Sequence, residues 1–250
     1  TLMVSVVYRG RALPLMWVVR QGNKGHFPQT LHVELLHEVS QLIPAGSDVV
    51  CLGDGEFDGT DWLAELARLN WTYVCRTAKN AVCVEEGERF APQDICPAPG
   101  HCVGVPEVLF TEAAYGPVHV IAWWEKGYQE PLYLVTNLPV AEEACYWYRK
   151  RFRIETFFSD QKSRGFHLHK SRLSDPKRLA RLMIASCLAY LWVVYLGAFA
   201  LQTPWYRHIH RTDRCDLSLF QLGLRLLKHF LREGIAIPTF RFTMPEPAAT

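Results

Sequence analysis

The feature that most constrains this chain is a stretch of twenty residues, Leu182 to Leu201, that contains no charged side chain. A helix of this length spans the apolar core of a bilayer, so a membrane helix is one interpretation. The other is a helix buried on all sides in a folded domain, and the small residues of the stretch suit close packing in either setting. We favour the buried helix, because a lone membrane span at the end of an α/β domain is the less economical arrangement.

The residues near the start of the chain alternate between strand-like and helix-like patterns. Residues 2–20 predict a β-hairpin, residues 31–43 a helix and residues 48–54 a short buried strand that ends in an Asp. A further helix over residues 60–69 and a strand over residues 71–77 follow. This order of elements predicts an α/β core.

The composition of the sequence changes after residue 78. Gly, Pro and short β-branched runs replace the helical spacing of apolar residues. Strand character returns in the run LYLVTNL, and a long helix is predicted to begin at Ala141. The next helix has Ser174 as its predicted N-cap and Pro176 in its first turn. The predicted organisation is a first part of the core (residues 1–78), a β-rich insertion (79–130), a second part of the core (131–204) and a basic helical tail with a disordered, Pro-rich end (205–250).

Positive charge is concentrated in one window of an otherwise near-neutral chain. The formal net charge is +2, yet residues 145–181 hold eleven Lys or Arg and three Asp or Glu, a local net charge of +8. A basic stripe of this kind is typical of proteins that bind a polyanion. The eight cysteines include no C-x-x-C pair and several lie in apolar runs, which indicates reduced thiols in a cytoplasmic protein.

The run YWYRKRFRIETFFSDQKSRGF, residues 146–166, mixes aromatic rings with cations inside this window. On a continuous α-helix, Tyr148, Arg151, Glu155 and Lys162 fall within about 60° of arc, beside an apolar face of other rings. An ordinary amphipathic helix explains part of this pattern, because Arg151 and Glu155 form an i,i+4 pair. Geometry alone supports two interpretations equally: an ordinary salt-bridged amphipathic helix, and a functional stripe of Tyr148, Arg151, Glu155 and Lys162.

The spacing Tyr148-x2-Arg151-x3-Glu155-x6-Lys162 resembles the Y-R-E-K signature of the DDE transposases of insertion sequences, in the fourth insertion-sequence family. The runs LVTNLP, GFHLHKSRLSDP and LGDGEFDG extend this resemblance over nearly the whole chain, to about Leu201. The resemblance implies a ribonuclease-H-like catalytic core in which three carboxylates bind two Mg²⁺ ions, with Mn²⁺ as an alternative. It also implies a β-rich insertion between the second and third carboxylates.

On this resemblance, Asp54 matches the second catalytic Asp and metal ligand, and Glu155 matches the catalytic Glu. The remaining residues of the signature imply DNA contacts: Arg151 as a forked phosphate ligand, Lys162 as a point charge and Tyr148 as a hydrogen-bond donor to phosphate. Trp123 and Trp124 lie about where relatives place a ring that stacks on a flipped base. Strand alternation predicts that one ring of this pair is buried and the other is available to DNA.

Two departures from the family pattern limit the resemblance. Gly55 follows the second Asp, where many relatives carry a basic residue, and the first Asp has no clear match because Asp48 is poorly placed. The resemblance implies a transposase that cuts and joins DNA at insertion-sequence ends, as a homodimer on DNA. The missing match for the first Asp predicts that this fragment itself is inactive. A truncated, inactive protein that still binds DNA is the alternative.

Overall fold

The computed structural model describes residues 1–8, 10–21, 27–211 and 214–239 of the chain. The chain forms two compact units, Thr1–Phe157 and Phe158–Thr250. The predicted Pro-rich disordered end, after residue 239, lies outside the described residues.

The first unit is built on a two-stranded and a seven-stranded sheet. Its described strands are β1 (Leu2–Tyr8), β2 (Arg11–Val18), β3 (Val50–Gly53), β4 (Thr72–Arg76), β5 (Cys83–Glu85), β6 (Glu88–Phe90), β7 (Cys102–Phe110), β8 (Tyr115–Trp123) and β9 (Leu132–Thr136). Strands β1 and β2 form an antiparallel hairpin, and the larger sheet has the order β3-β4-β9-β8-β7-β5-β6. Within the larger sheet, β3 and β4 pair in parallel and the other pairs are antiparallel.

Helices lie on both faces of the larger sheet. The α-helices packed against the larger sheet are α1 (Gln29–Ser40), α2 (Thr60–Arg68) and α3 (Ala141–Tyr148). Side chains alternate along β4, so that Tyr73 and Cys75 pack in the cluster that holds α1 and α2, whereas Val74 packs with α3. Two apolar clusters, one on each face, therefore anchor the helices to the sheet.

The predicted hairpin, the strand before Asp54, the two helices α1 and α2, and the strands β4 and β9 are all present. Strands β5 to β8 lie within the predicted insertion, residues 79–130, and extend the same sheet that contains β3 and β4. The fold is thus mixed α/β with a mostly antiparallel sheet. The division of this sheet into core and insertion, and the other predicted domain boundaries, stay predictions.

The prediction of one continuous helix through residues 146–166 was wrong. Helix α3 ends at Tyr148, a 3-10 helix covers Arg149–Phe152, and α4 then runs over Arg153–Gln161. A 3-10 helix has about three residues per turn, so the angles of a continuous α-helix do not hold across it. The 3-10 helix packs against β3, and this contact places its side chains at the end of that strand.

The second unit is helical and contains the uncharged stretch. Helix α5 (Pro176–Gln202) packs against α7 (Leu219–Glu233) and the short helix α6 (Tyr206–Ile209). A Cβ atom at Gly197 or Gly223 would collide with the backbone of the other helix, so α5 and α7 touch backbone to backbone. This packing requires glycine at both positions.

Two details of α5 differ from prediction. Its N-cap is Asp175, whose Oδ1 accepts a hydrogen bond of 2.7 Å from the Arg178 amide, and not Ser174. The helix is also buried along one stripe only, because Ile184, Leu188 and Leu201 are exposed. Within the described residues α5 is the one helix long and apolar enough to cross a membrane, but core helices meet the same criterion.

Candidate active site

Two neighbouring parallel strands deliver charged side chains to the same edge of the larger sheet. Asp54 comes directly after β3, and Arg76 is the last residue of β4. The register pairs Gly53 with Cys75, so Asp54 and Arg76 occupy the next position on the two strands. The carboxyl ends of parallel strands are a common location for functional side chains.

Arg151 connects this edge of the sheet to Glu155. Its Nη2 lies 2.6 Å from Glu155 Oε1, and its Nη1 lies 3.9 Å from Asp54 Oδ2. The guanidinium is therefore shared by two carboxylates that are far apart in sequence. This arrangement brings together three of the residues that the sequence predicted.

The two carboxylates remain open to solvent while the cation between them does not. The side chains of Asp54 and Glu155 are 50% and 57% exposed, compared with 11% for Arg151. Among the described residues, no group of three or more His, Cys, Asp or Glu side chains is placed to hold a metal ion. Carboxylate oxygens from two elements approach one positive group here, and carboxylates are ligands that hard divalent cations prefer.

A cavity of about 380 Å³ lies beside this pair in the first unit. Its wall includes Arg76, Tyr128, Glu130, Tyr148, Arg151 and Glu155. Cationic and aromatic side chains thus line a space next to the two carboxylates. This chemistry suits a ligand that has both negative charge and a flat ring, such as a nucleotide.

The prediction of a continuous helix placed Tyr148 on an exposed stripe, but the structure does not. Its side chain is fully buried at the end of α3, and burial raises the pKa of its hydroxyl to about 12. The hydroxyl therefore stays protonated at neutral pH. Among the described residues the hydroxyl has no hydrogen-bond partner, and Tyr148 is one of the residues that line the cavity.

The two adjacent tryptophans differ in burial. Trp123 is only 4% exposed and lies under the guanidinium of Arg149, whose Cζ is 4.9 Å from the ring centroid. Trp124 is half-buried, and its Nε1 donates a hydrogen bond of 3.0 Å to the Tyr128 carbonyl. Trp123 is thus covered within the fold, and Trp124 is the ring of the pair that stays partly accessible.

Lys162 is exposed and follows directly after α4 in the second unit. Its amide donates a hydrogen bond of 3.0 Å to the Phe158 carbonyl, which continues the helical hydrogen-bonding pattern by one residue. Its predicted contact with DNA phosphate stays a prediction.

Sequence reasoning missed Arg76. A signal was present, since the run WTYVCRT follows a strand and a helix, and a β-α-β connection makes the two strands parallel. The carboxyl end of the second strand then lies beside Asp54, and Arg76 occupies that end.

A comparison with protein-family models matches residues 1–192 to the family described as Transposase DDE domain. The match covers most of the chain, including Asp54, Arg151 and Glu155. A search of curated proteins found no match.

Proposed function

The chain belongs to the DDE transposase family, and from this premise we propose that it carries out metal-dependent cleavage and strand transfer at the ends of an insertion sequence. The family assignment supports a transposase function and a DNA partner. We assign the chain more narrowly to the Y-R-E-K group and its core to the ribonuclease-H-like fold. The spacing of Tyr148, Arg151, Glu155 and Lys162 supports this narrower assignment.

The observation that carries the proposal is the position of Arg151 between Asp54 and Glu155. These carboxylates come from a strand end and from a helix 101 residues later in the sequence. In an ordinary surface ion pair, one acidic side chain contacts one cation. Here two acidic side chains share one cation at the edge of the sheet. We infer that Asp54 and Glu155 are the ligands for the divalent ions, Mg²⁺ or Mn²⁺.

We assign a separate role in the reaction at a DNA phosphodiester to each of several residues. Divalent ions held by Asp54 and Glu155 would activate the attacking water or 3′-hydroxyl and stabilise the leaving oxygen. Arg151 and Arg76 supply forked donors for nonbridging phosphate oxygens beside the cavity. Lys162, which belongs to the second unit, is proposed as a separate phosphate contact through its point charge. Trp124 is the ring that we assign to stacking on an unpaired base.

A homodimer on DNA follows from the reaction, because two transposon ends must be joined by the same assembly. DNA is the partner that the family match supports, and the net charge of +8 over residues 145–181 supports it independently. Phosphate contacts of this kind position the protein without reading sequence.

Nicking of supercoiled DNA by the full-length protein in Mg²⁺ tests the proposal. Asp54→Asn and Glu155→Gln each remove a ligand charge, and each is expected to lower the nicking rate about a thousandfold or more. Glu130→Gln is the matched control, because it removes a carboxylate from the same cavity outside the pair. Equal rates for the control and the two ligand variants would contradict the assignment.

A further inference from the structure

Arg151 occupies the space that a divalent ion would share with Asp54 and Glu155. Its two terminal nitrogens face the two carboxylates at 3.9 Å and 2.6 Å, and the side chain is 11% exposed. A guanidinium and a divalent ion repel each other when they approach the same oxygens. Arg151 in this position therefore competes with metal binding.

The contacts that hold Arg151 in this position are incomplete. Its Nε is buried and has no hydrogen-bond partner among the described residues, and its contact with Asp54 is long. The guanidinium also lies 4.7 Å from the ring centroid of Phe152. A phosphate group offers a forked acceptor to such a cation, so it can compete with the carboxylates for Arg151.

Arg151 also lies over Tyr148, with its Cζ 5.5 Å from the ring centroid. Tyr148 lines the cavity, and its hydroxyl is buried and lacks a hydrogen-bond partner among the described residues. A buried donor without an acceptor is unfavourable, and a ligand oxygen in the cavity would satisfy it.

We propose that Arg151 is an exchange residue that couples DNA binding to metal binding. Without DNA it bridges Asp54 and Glu155 and weakens their affinity for divalent ions. A DNA phosphate entering beside Arg76 takes over the guanidinium, gains the Tyr148 hydroxyl as a second donor, and releases both carboxylates. This inference rests on the proposed function, because it takes Asp54 and Glu155 as the metal ligands.

Thermodynamic linkage makes the exchange measurable. If DNA raises the affinity for the divalent ion by some factor, the divalent ion must raise the affinity for DNA by the same factor. The exchange also favours metal loading of the DNA-bound protein over the free protein. The coupling should depend on Arg151, whereas attraction between DNA and metal ions in general should not.

The experiment measures Mn²⁺ binding from the electron paramagnetic resonance signal of free Mn²⁺, with and without a short DNA duplex whose own Mn²⁺ binding is subtracted. Without DNA, Arg151→Gln is expected to bind Mn²⁺ about tenfold more tightly than the wild-type protein. Arg76→Gln is the matched control, because it removes the same charge from the same cavity. It should change Mn²⁺ affinity by less than about threefold.

Saturating DNA should raise the Mn²⁺ affinity of the wild-type protein more than that of Arg151→Gln. Arg151→Lys, which keeps the charge but lacks the fork, should give an intermediate affinity without DNA. Circular dichroism checks that both variants fold. If Arg151→Gln does not fold, Arg151→Lys still tests the exchange. The exchange is overturned if Arg151→Gln and Arg76→Gln bind Mn²⁺ equally, or if DNA enhances binding to the same extent with and without Arg151.

Two ligand variants separate the exchange from the proposed function. Asp54→Asn and Glu155→Gln should each weaken Mn²⁺ binding whether or not Arg151 is present. Unchanged binding in both variants would overturn the metal site itself. Weakened binding in both, with no effect specific to Arg151→Gln, would overturn the exchange and leave the proposed function standing.

Discussion

The segment from Ala141 to Gln161 and the helix α5 are both helical, but their regularity differs. Helix α5 is continuous over Pro176–Gln202, and its buried side chains recur along one stripe. The segment 141–161 changes from α-helix to 3-10 helix and back, and it carries Arg151 and Glu155 at the change. The regular helix serves packing, whereas the irregular one buries Tyr148 and also presents charges to Asp54.

The largest expected effect concerns the regular helix. Gly223→Val places a side chain against the backbone of α5 and should lower the free energy of unfolding by about 3 kcal/mol. Leu231→Ala, on the same helix at 66% exposure, is the control and should change it by less than about 0.5 kcal/mol. Urea unfolding of both variants measures the difference. Equal stabilities would mean that α5 and α7 are not in close contact.

The next effect concerns the charged segment. The logarithm of DNA affinity should fall linearly with the logarithm of salt concentration, with a slope of about 0.9 per neutralised phosphate. The double variant Arg151→Ala, Lys162→Ala should flatten this slope by about one to two units. Arg89→Ala with Lys126→Ala removes the same charge from outside residues 145–181 and should leave the slope unchanged. An unchanged slope in the first pair would show that these cations are only solvated.

The smallest effect concerns the start of α5. Asp175→Ala removes the side chain that caps the helix and should cost about 1 kcal/mol of unfolding free energy. Ser174→Ala should be almost neutral, because Ser174 does not cap the helix. Thermal unfolding of the two variants compares them directly. A larger loss for Ser174→Ala would restore the cap that the sequence first suggested.

Most helices and strands could be predicted from the sequence, because each has a clear spacing of apolar residues or a clear boundary residue. The cap of α5 was also readable: Pro176 takes the first helical position, which makes the preceding Asp175 the cap. The interruption at Arg149–Phe152 had no such signal, since this run contains neither Gly nor Pro. Its cause is tertiary, because Tyr148 packs in the core and the 3-10 helix packs against β3.

Only part of the candidate site could be predicted from the sequence. The signature spacing selected Arg151 and Glu155, and the resemblance of the run LGDGEFDG to the family selected Asp54, which follows a strand. Arg76 was missed because its role depends on the register between two strands. Trp123 is buried because it packs in the apolar cluster that holds α3, and Arg149, from another element, lies over its ring. Contacts between distant elements are the part that a single sequence does not display.

The central claim is that Asp54 and Glu155 form one divalent-ion site, and iron-directed cleavage of the protein backbone tests it most directly. Fe²⁺ with ascorbate and peroxide produces hydroxyl radicals that cut the chain close to the bound ion. We expect cuts near residue 54 and near residue 155, suppressed together by Mg²⁺ and by either Asp54→Asn or Glu155→Gln. Glu130→Gln should leave both cuts in place. Cuts at only one of these positions, or cuts that survive both ligand substitutions, would contradict the account.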